Sequence, residues 1–260
     1  MKNNNNGISK TSRLCAFAVK SLTLLIVFAP FIISCKKENM GDCFKSTGDI
    51  SVQYRTLATF DTIEVWDNIS VFLTADTFFE VKVEAGEHLL PMIKTEVSNN
   101  RLIIKNNNKC NWVRSFKVPI NVYVTMPSPG GIINEGNYTF KSMNTLSGRT
   151  LMIKMSGSGD VDLKLDIPQL LVNISASDGD LLLDGKAIES YIFCIGSTIV
   201  KASSFETEKT YITHHGTGDM YVNASTEIGA NIDWIGNVYY SGTANVAYAN
   251  YTSSGRLIKN

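Results

Sequence analysis

From Leu151 onward, apolar and polar residues alternate in short runs. Leu151, Ile153 and Met155 fall on one side of such a run, as do Val161, Leu163 and Leu165, and then Leu170, Val172 and Ile174. A period of two marks a half-buried strand, so these nine side chains are predicted to face a core. The runs are punctuated by Gly159-Asp160, Gly179-Asp180, Gly218-Asp219 and Gly236-Asn237, with Gly136-Asn137, Ser197-Thr198 and Gly255-Arg256 in equivalent places. Measured at Asn137, Asp160, Asp180, Thr198, Asp219, Asn237 and Arg256, the repeat averages about 20 residues. Glycine is expected to supply positive φ at each corner, and Asp or Asn to bond its own backbone there. The pattern predicts an all-β chain folded as a parallel β-helix, a β-solenoid with coils of about 20 residues, in which stacking about seven coils closes the core. An antiparallel sandwich would account for the turns but not for the constant register.

Residues 45–130 have a less regular rhythm. Val81-Lys82-Val83-Glu84 and Ile120-Asn121-Val122-Tyr123-Val124-Thr125 still alternate, and Gly48-Asp49-Ile50 echoes the corner. This half is expected to be an N-terminal, capping part of the solenoid, with regular repeats over 131–260. Leu89-Leu90-Pro91-Met92-Ile93 reads as a single helical turn, because Pro91 limits anything longer.

The amino terminus follows different rules. Lys2, Lys10, Arg13 and Lys20 precede an uncharged stretch, Ser21 to Ser34, rich in Leu, Ile and Phe. This is the pattern of a signal peptide, and a run that short, interrupted by Pro30, falls below the roughly 20 residues of a membrane-spanning helix. The stretch ends Ile32-Ile33-Ser34-Cys35, which resembles a bacterial lipobox. Residues 1–34 are therefore expected to be a lipoprotein signal peptide, Cys35 the lipidation site, and 35–44 a tether holding the protein to a membrane. Lys36 rather than Asp after the cysteine favours the outer membrane, with a periplasmic or a surface-exposed orientation both open.

Charge and cysteine content fit that compartment. The chain carries 24 Lys+Arg and 24 Asp+Glu; four of the basic residues lie in the signal, leaving 20 against 24 and arguing against nucleic acid as a partner. Beyond the signal and the anchor three cysteines remain. Cys194 sits in the apolar run Tyr191-Ile192-Phe193-Cys194-Ile195 and reads as a small buried hydrophobe, whereas Cys43 and Cys110 lie among polar residues and are the candidate disulfide pair.

Several segments together carry a family resemblance: the lipobox, Phe60-Asp61-Thr62-Ile63-Glu64-Val65, Ile120-Asn121-Val122-Tyr123-Val124-Thr125-Met126-Pro127, Gly157-Ser158-Gly159-Asp160, and Gly236-Asn237-Val238-Tyr239-Tyr240-Ser241-Gly242. Over about residues 45–255 the chain resembles the auto-transporter adhesin family whose repeat region is called the head GIN domain, common in Bacteroidetes. The Gly-Ile-Asn signature stands here as Gly131-Ile132-Ile133-Asn134. The resemblance implies a right-handed β-helical fold and a role in adhesion or envelope interaction. It brings no catalytic residues.

A parallel β-helix is also a scaffold of polysaccharide-processing enzymes, which need convergent carboxylates and a base. Asp160, Asp180 and Asp219 would lie near one corner, where adjacent coils bring two carboxylates within reach of a cation or a sugar; they are weak metal candidates against a turn role, since Thr198 and Asn237 hold equivalent places. His214 and His215, as neighbours in a strand, point to opposite faces and do not make a shared metal site. No Gly-x-Ser-x-Gly or phosphate loop is present. Tyr221, Tyr239 and Tyr248, with Trp234 nearby, are the candidate ligand-binding surface. The expected function is non-enzymatic: an adhesin-like outer-membrane or cell-surface lipoprotein binding a glycan or an envelope protein, with no cofactor. The alternatives are a polysaccharide-processing enzyme and a scaffold for an envelope complex.

Overall fold

The alternation becomes strands almost run for run. The computed structural model describes residues 46–109 and 118–260; the signal, Cys35 and the Cys43–Cys110 pair lie outside the described residues. The first half holds β1 (Ile50–Arg55), β2 (Thr62–Asp67), β3 (Ser70–Ala75), β4 (Glu80–Gly86), β5 (Ile93–Ser98), β6 (Arg101–Asn106) and β7 (Asn121–Met126). Then come β8 (Gly131–Gly136), β9 (Phe140–Ser147), β10 (Leu151–Met155), β11 (Val161–Ser177), β12 (Leu181–Gly196) and β13 (Val200–His214). The chain closes with β14 (Met220–Ile232), β15 (Val238–Ser241), β16 (Asn245–Tyr251) and β17 (Leu257–Lys259). The expected helical turn is a 3₁₀ turn, Leu90–Met92, with Pro91 near its start.

β11 to β14 each serve two walls. In β11, Val161–Asp166 pair in parallel with β9, while Leu170–Ile174 pair with β10; Pro168, which has no N–H to give, stands between the two halves unpaired. Wall A thus runs β3, β9, the first halves of β11 to β14, β15 and β17. Wall B runs β2, β8, β10, the second halves of β11 to β14, and β16. One turn of the chain supplies one strand to each wall, which is a β-solenoid with a coil of about 20 residues. All nine predicted core residues from Leu151 to Ile174 are buried.

Corner registration rests on repeated backbone bonds. The N–H groups of Phe140, Val161, Leu181, Val200, Met220 and Val238 donate to the carbonyls of Asp160, Asp180, Ile199, Asp219, Asn237 and Arg256, each on the following coil. Two sequence positions shift as a result. Ile199 rather than Thr198 holds the fourth place, and Thr139, which accepts from Val71, holds the first rather than Asn137.

The glycines serve a purpose other than the one expected. Gly159, Gly179, Gly218, Gly236 and Gly255 are not among the residues with positive φ. Instead a Cβ at any of them would lie 2.0–2.6 Å from an atom of the preceding coil, the carbonyl oxygens of Tyr138, Gly159, Thr198, Gly218 and Gly236 among them. Close stacking of backbone on backbone, not an unusual torsion, demands glycine here.

The first coil is out of sequence. β2 and β3 pair on one side with β8 and β9, and on the other with β6 and β7, all in parallel. The coil formed by β2 and β3 is therefore sandwiched between β6 and β7 on one side and β8 and β9 on the other. Outside β7 and β6 lie antiparallel strands: β4 on β7, β1 on β4, and β5 on β6.

Candidate functional site

The outward positions of wall B form ladders. In register across β10, β11, β12, β13, β14 and β16 stand Met152, Leu171, Tyr191, Tyr211, Gly229 and Tyr248. The rings of Tyr191 and Tyr211 stack with centroids 5.2 Å apart, and those of Tyr211 and Tyr248 at 6.4 Å with planes 10° apart. Two places along the strand, Phe193 also points outward and meets the His215 ring edge-on at 5.5 Å. Beside the tyrosines lies a charged row: Tyr191 Oη donates to Glu189 at 3.2 Å and Tyr211 Oη to Glu227 at 2.5 Å, while Lys209 pairs with Glu189 at 3.8 Å. The Glu227 hydrogen bond, then burial, raises the Tyr211 phenol to about 12, so it is a neutral donor at every physiological pH. A groove of about 610 Å³ runs along this face, lined by Met152, Leu171, Tyr191, Phe193, Tyr211 and Tyr248.

The sequence-predicted aromatic residues do not share one surface. Tyr248 belongs to the wall B ladder. Tyr221 and Tyr239 stack on each other at 5.1 Å on wall A. Trp234 lies in the corner between β14 and β15 and is 52% exposed. Sequence reasoning missed Tyr191, Tyr211, Met152 and Leu171. The signal for Tyr191, Phe193 and Ile195 was present in the run around Cys194: with Ile192 and Cys194 facing the core, the three that alternate with them must face out. Cys194 itself is a free, fully buried thiol, and burial pushes its pKa up to about 11.

The corner aspartates hold neighbouring coils together. Asp160 Oδ1 accepts the N–H of Asp180, and Asp219 Oδ1 accepts the N–H of Asn237, both at 2.8 Å; Asn237 Oδ1 continues the series by accepting from Arg256 at 3.0 Å. The bonds reach 18 to 20 residues onward rather than closing a turn within one corner. Asp180 also pairs with Lys201 at 2.7 Å, and that bond raises the lysine's pKa. Among the described residues, no group of three or more His, Cys, Asp or Glu is arranged to hold a metal ion. His214 and His215 diverge as expected: His214 is fully buried, and His215 meets Asp233 at 3.1 Å on the outside.

Residues 59–244 match the family described as "Putative auto-transporter adhesin, head GIN domain". The chain belongs to this family. No curated protein matches the sequence. Among solved structures, the head GIN chain is similar to a "putative adhesin" from Bacteroides fragilis, with a TM-score of 0.74 at 23% identity over 82% of this chain and 97% of that one. It is also similar to a "Putative lipid binding protein" from Parabacteroides distasonis, with a TM-score of 0.65 at 18% identity over 83% and 98% of the two chains. A "putative adhesin" from the same organism gives 0.62 at 20% identity over 82% and 98%. At these identities the likeness is one of fold, and it covers nearly the whole of each relative.

Proposed function

We propose that this head GIN protein is a non-enzymatic outer-membrane lipoprotein, anchored through Cys35, that uses the outer face of wall B to bind another envelope protein in an adhesin-like manner. One observation carries the reading: a continuous strip of outward Met, Leu, Phe and Tyr side chains bordered by a row of acids and Lys209, the mixture of apolar centre and polar rim from which protein interfaces are made. The rings of Tyr191 and Tyr211 already cover each other, so their edges rather than their flat faces meet a partner. That arrangement suits a protein surface better than a stacked sugar ring. A glycan remains the second reading, favoured by the exposed indole of Trp234. The hydrogen bonds that Asp160 and Asp219 accept from the next coil support a structural role for the corner carboxylates over the polysaccharide-processing alternative.

The test replaces three exposed wall B residues, Met152, Tyr191 and Ile195, with serine. Their side chains are 39–43% exposed, so the fold is expected to persist. Adhesion of cells carrying the variant to a surface coated with purified envelope proteins should fall at least tenfold, while a glycan array reads the second alternative with the same protein and with Trp234→Ala. Undiminished adhesion by the triple variant would remove wall B from the account.

A further inference from the structure

One strand of the antiparallel extension beyond β3 and β7 is inside out. In β1, Ile50, Val52 and Tyr54 are 63%, 45% and 64% exposed. They stand opposite Gly86, Glu84 and Lys82 of β4, on the outer face of the extension, while Ser51, Gln53 and Arg55 share the inner side with the buried Ala85, Val83 and Val81. β3 and β7 show the ordinary arrangement, with Val71, Leu73, Val122 and Val124 inward and buried. A slip of one residue would turn the three apolar side chains of β1 to the core side. The register is held against that slip by Arg55, which reaches across the end of the solenoid to donate to the carbonyls of Leu90 at 3.1 Å and Ile93 at 3.3 Å. At the Tyr54 end of the strand, where Arg55 faces Val81, the turn into β4 presents a further exposed apolar residue, Phe78, while the ring of Phe79 meets buried Phe60 edge-on at 5.4 Å.

We propose that this stripe, Ile50, Val52, Tyr54 and Phe78, rests in the interfacial layer of the lipid bilayer, so that the capped end of the solenoid lies on the membrane. The proposal rests on the Cys35 anchor. Only residues 36–49 separate Cys35 from Ile50, and 14 residues span at most about 50 Å when fully extended. The first strand after the tether is thus confined near the headgroups at a high effective concentration, where a few apolar and aromatic side chains suffice for contact. Tyrosine is suited to that layer, with an apolar ring and a polar tip. Charges on the face of the stripe are mixed, Lys82 against Glu84 and Glu80 of β4, so contact should not depend on anionic lipid or on salt.

The experiment places the photo-reactive p-benzoylphenylalanine at position 52 of the mature chain on vesicles of phosphatidylcholine and phosphatidylethanolamine. The chain is held there in one arm by its own acylated Cys35 and in the other by an N-terminal hexahistidine tag on a nickel-chelating lipid. After irradiation, lipid adducts at position 52 are expected in both arms, at least tenfold above the same probe at position 152 and unchanged in 0.5 M salt. Ile50→Ser with Tyr54→Ser should reduce them at least fivefold without lowering the melting temperature, because both side chains are exposed. Adducts to a second copy of the chain, no adducts, or labelling indifferent to the serine variant would each overturn the proposal. Failure of the anchor reading shows separately, as absence of acyl mass on Cys35 in the first arm, while the tagged arm still decides the stripe.

Discussion

The ring of Tyr248 lies directly over Gly229: a Cβ built on the glycine would stand 2.3 Å from Cε1 of the tyrosine. Gly229 is the register partner of both Tyr211 on one side and Tyr248 on the other. The missing side chain is what lets Tyr248 lean back toward Tyr211 and complete the ladder.

Gly229→Val should therefore expel the Tyr248 ring, at a cost of about 1–3 kcal/mol from overpacking. Combining it with Tyr248→Ala should recover part of that loss, since the clash then has no second party. Denaturant midpoints of the two single variants and the double variant measure the coupling. Strict additivity would mean that the ring does not occupy this place in solution.

Leu163→Asp or Val172→Asp should unfold several coils. Both side chains are buried, at 0% and 4% exposure, and an unpaired carboxylate in that column costs several kcal/mol. An unaltered melting temperature in either variant would contradict the assignment of inward positions.

Asp219→Asn should be nearly silent, because an amide oxygen can accept the Asn237 N–H as the carboxylate does, and Asn237 already plays that part for Arg256. Asp219→Val should cost about 1–2 kcal/mol by leaving that N–H without its acceptor. Melting temperatures taken with calcium and with a chelator complete the comparison. A calcium-dependent rise that vanishes in Asp219→Asn would reveal a metal function for the corner.

Stability should decline in mild acid through His214. The ring is fully buried, and that burial, opposed by the Gly218 backbone and by Asp219 and reinforced by His215, lowers its pKa. The unfolded chain binds a proton near the ordinary value of about 6.5 that the folded chain refuses. The contribution of the neutral imidazole is thus complete above that pH and is lost as the pH falls toward the lowered folded value. Urea unfolding between pH 5 and 8 should show this slope in the wild type and a shallower one in His214→Leu. Equal slopes would place the titration elsewhere.

The coil period and the inward residues of 151–174 were legible because each depends on local alternation and on a corner that recurs. The role of the glycines was not, since the atoms they avoid lie one coil away and a positive φ is the commoner reason for the residue. The split of Tyr221 and Tyr239 from Tyr248 was hidden for a related reason. All three follow corners in the sequence, but Tyr221 and Tyr239 belong to the first strand of their coils and Tyr248 to the second, so they emerge on different walls. Nor could alternation alone reveal β1 as inverted: Ile50-Ser51-Val52-Gln53-Tyr54 reads like any core strand, and the distant carbonyls of Leu90 and Ile93 decide which side Arg55 takes.

The displaced first coil gives the protein two ends that respond differently to load. Pulled from the C-terminus, β17 and β16 each have a neighbour on one side only in their own wall, and β15 is left so once β17 has gone, so the three can be stripped in turn, releasing about 65 Å of extended chain per coil of about 20 residues. Peeling of that kind proceeds in even steps as far as β9. There it meets β2 and β3, which are clasped from both sides by strands that come later in the chain, so the tear cannot advance by one turn at a time and several strands must part together. Held at β2 and β3 and loaded at β17, the solenoid would yield length gradually before giving up its root.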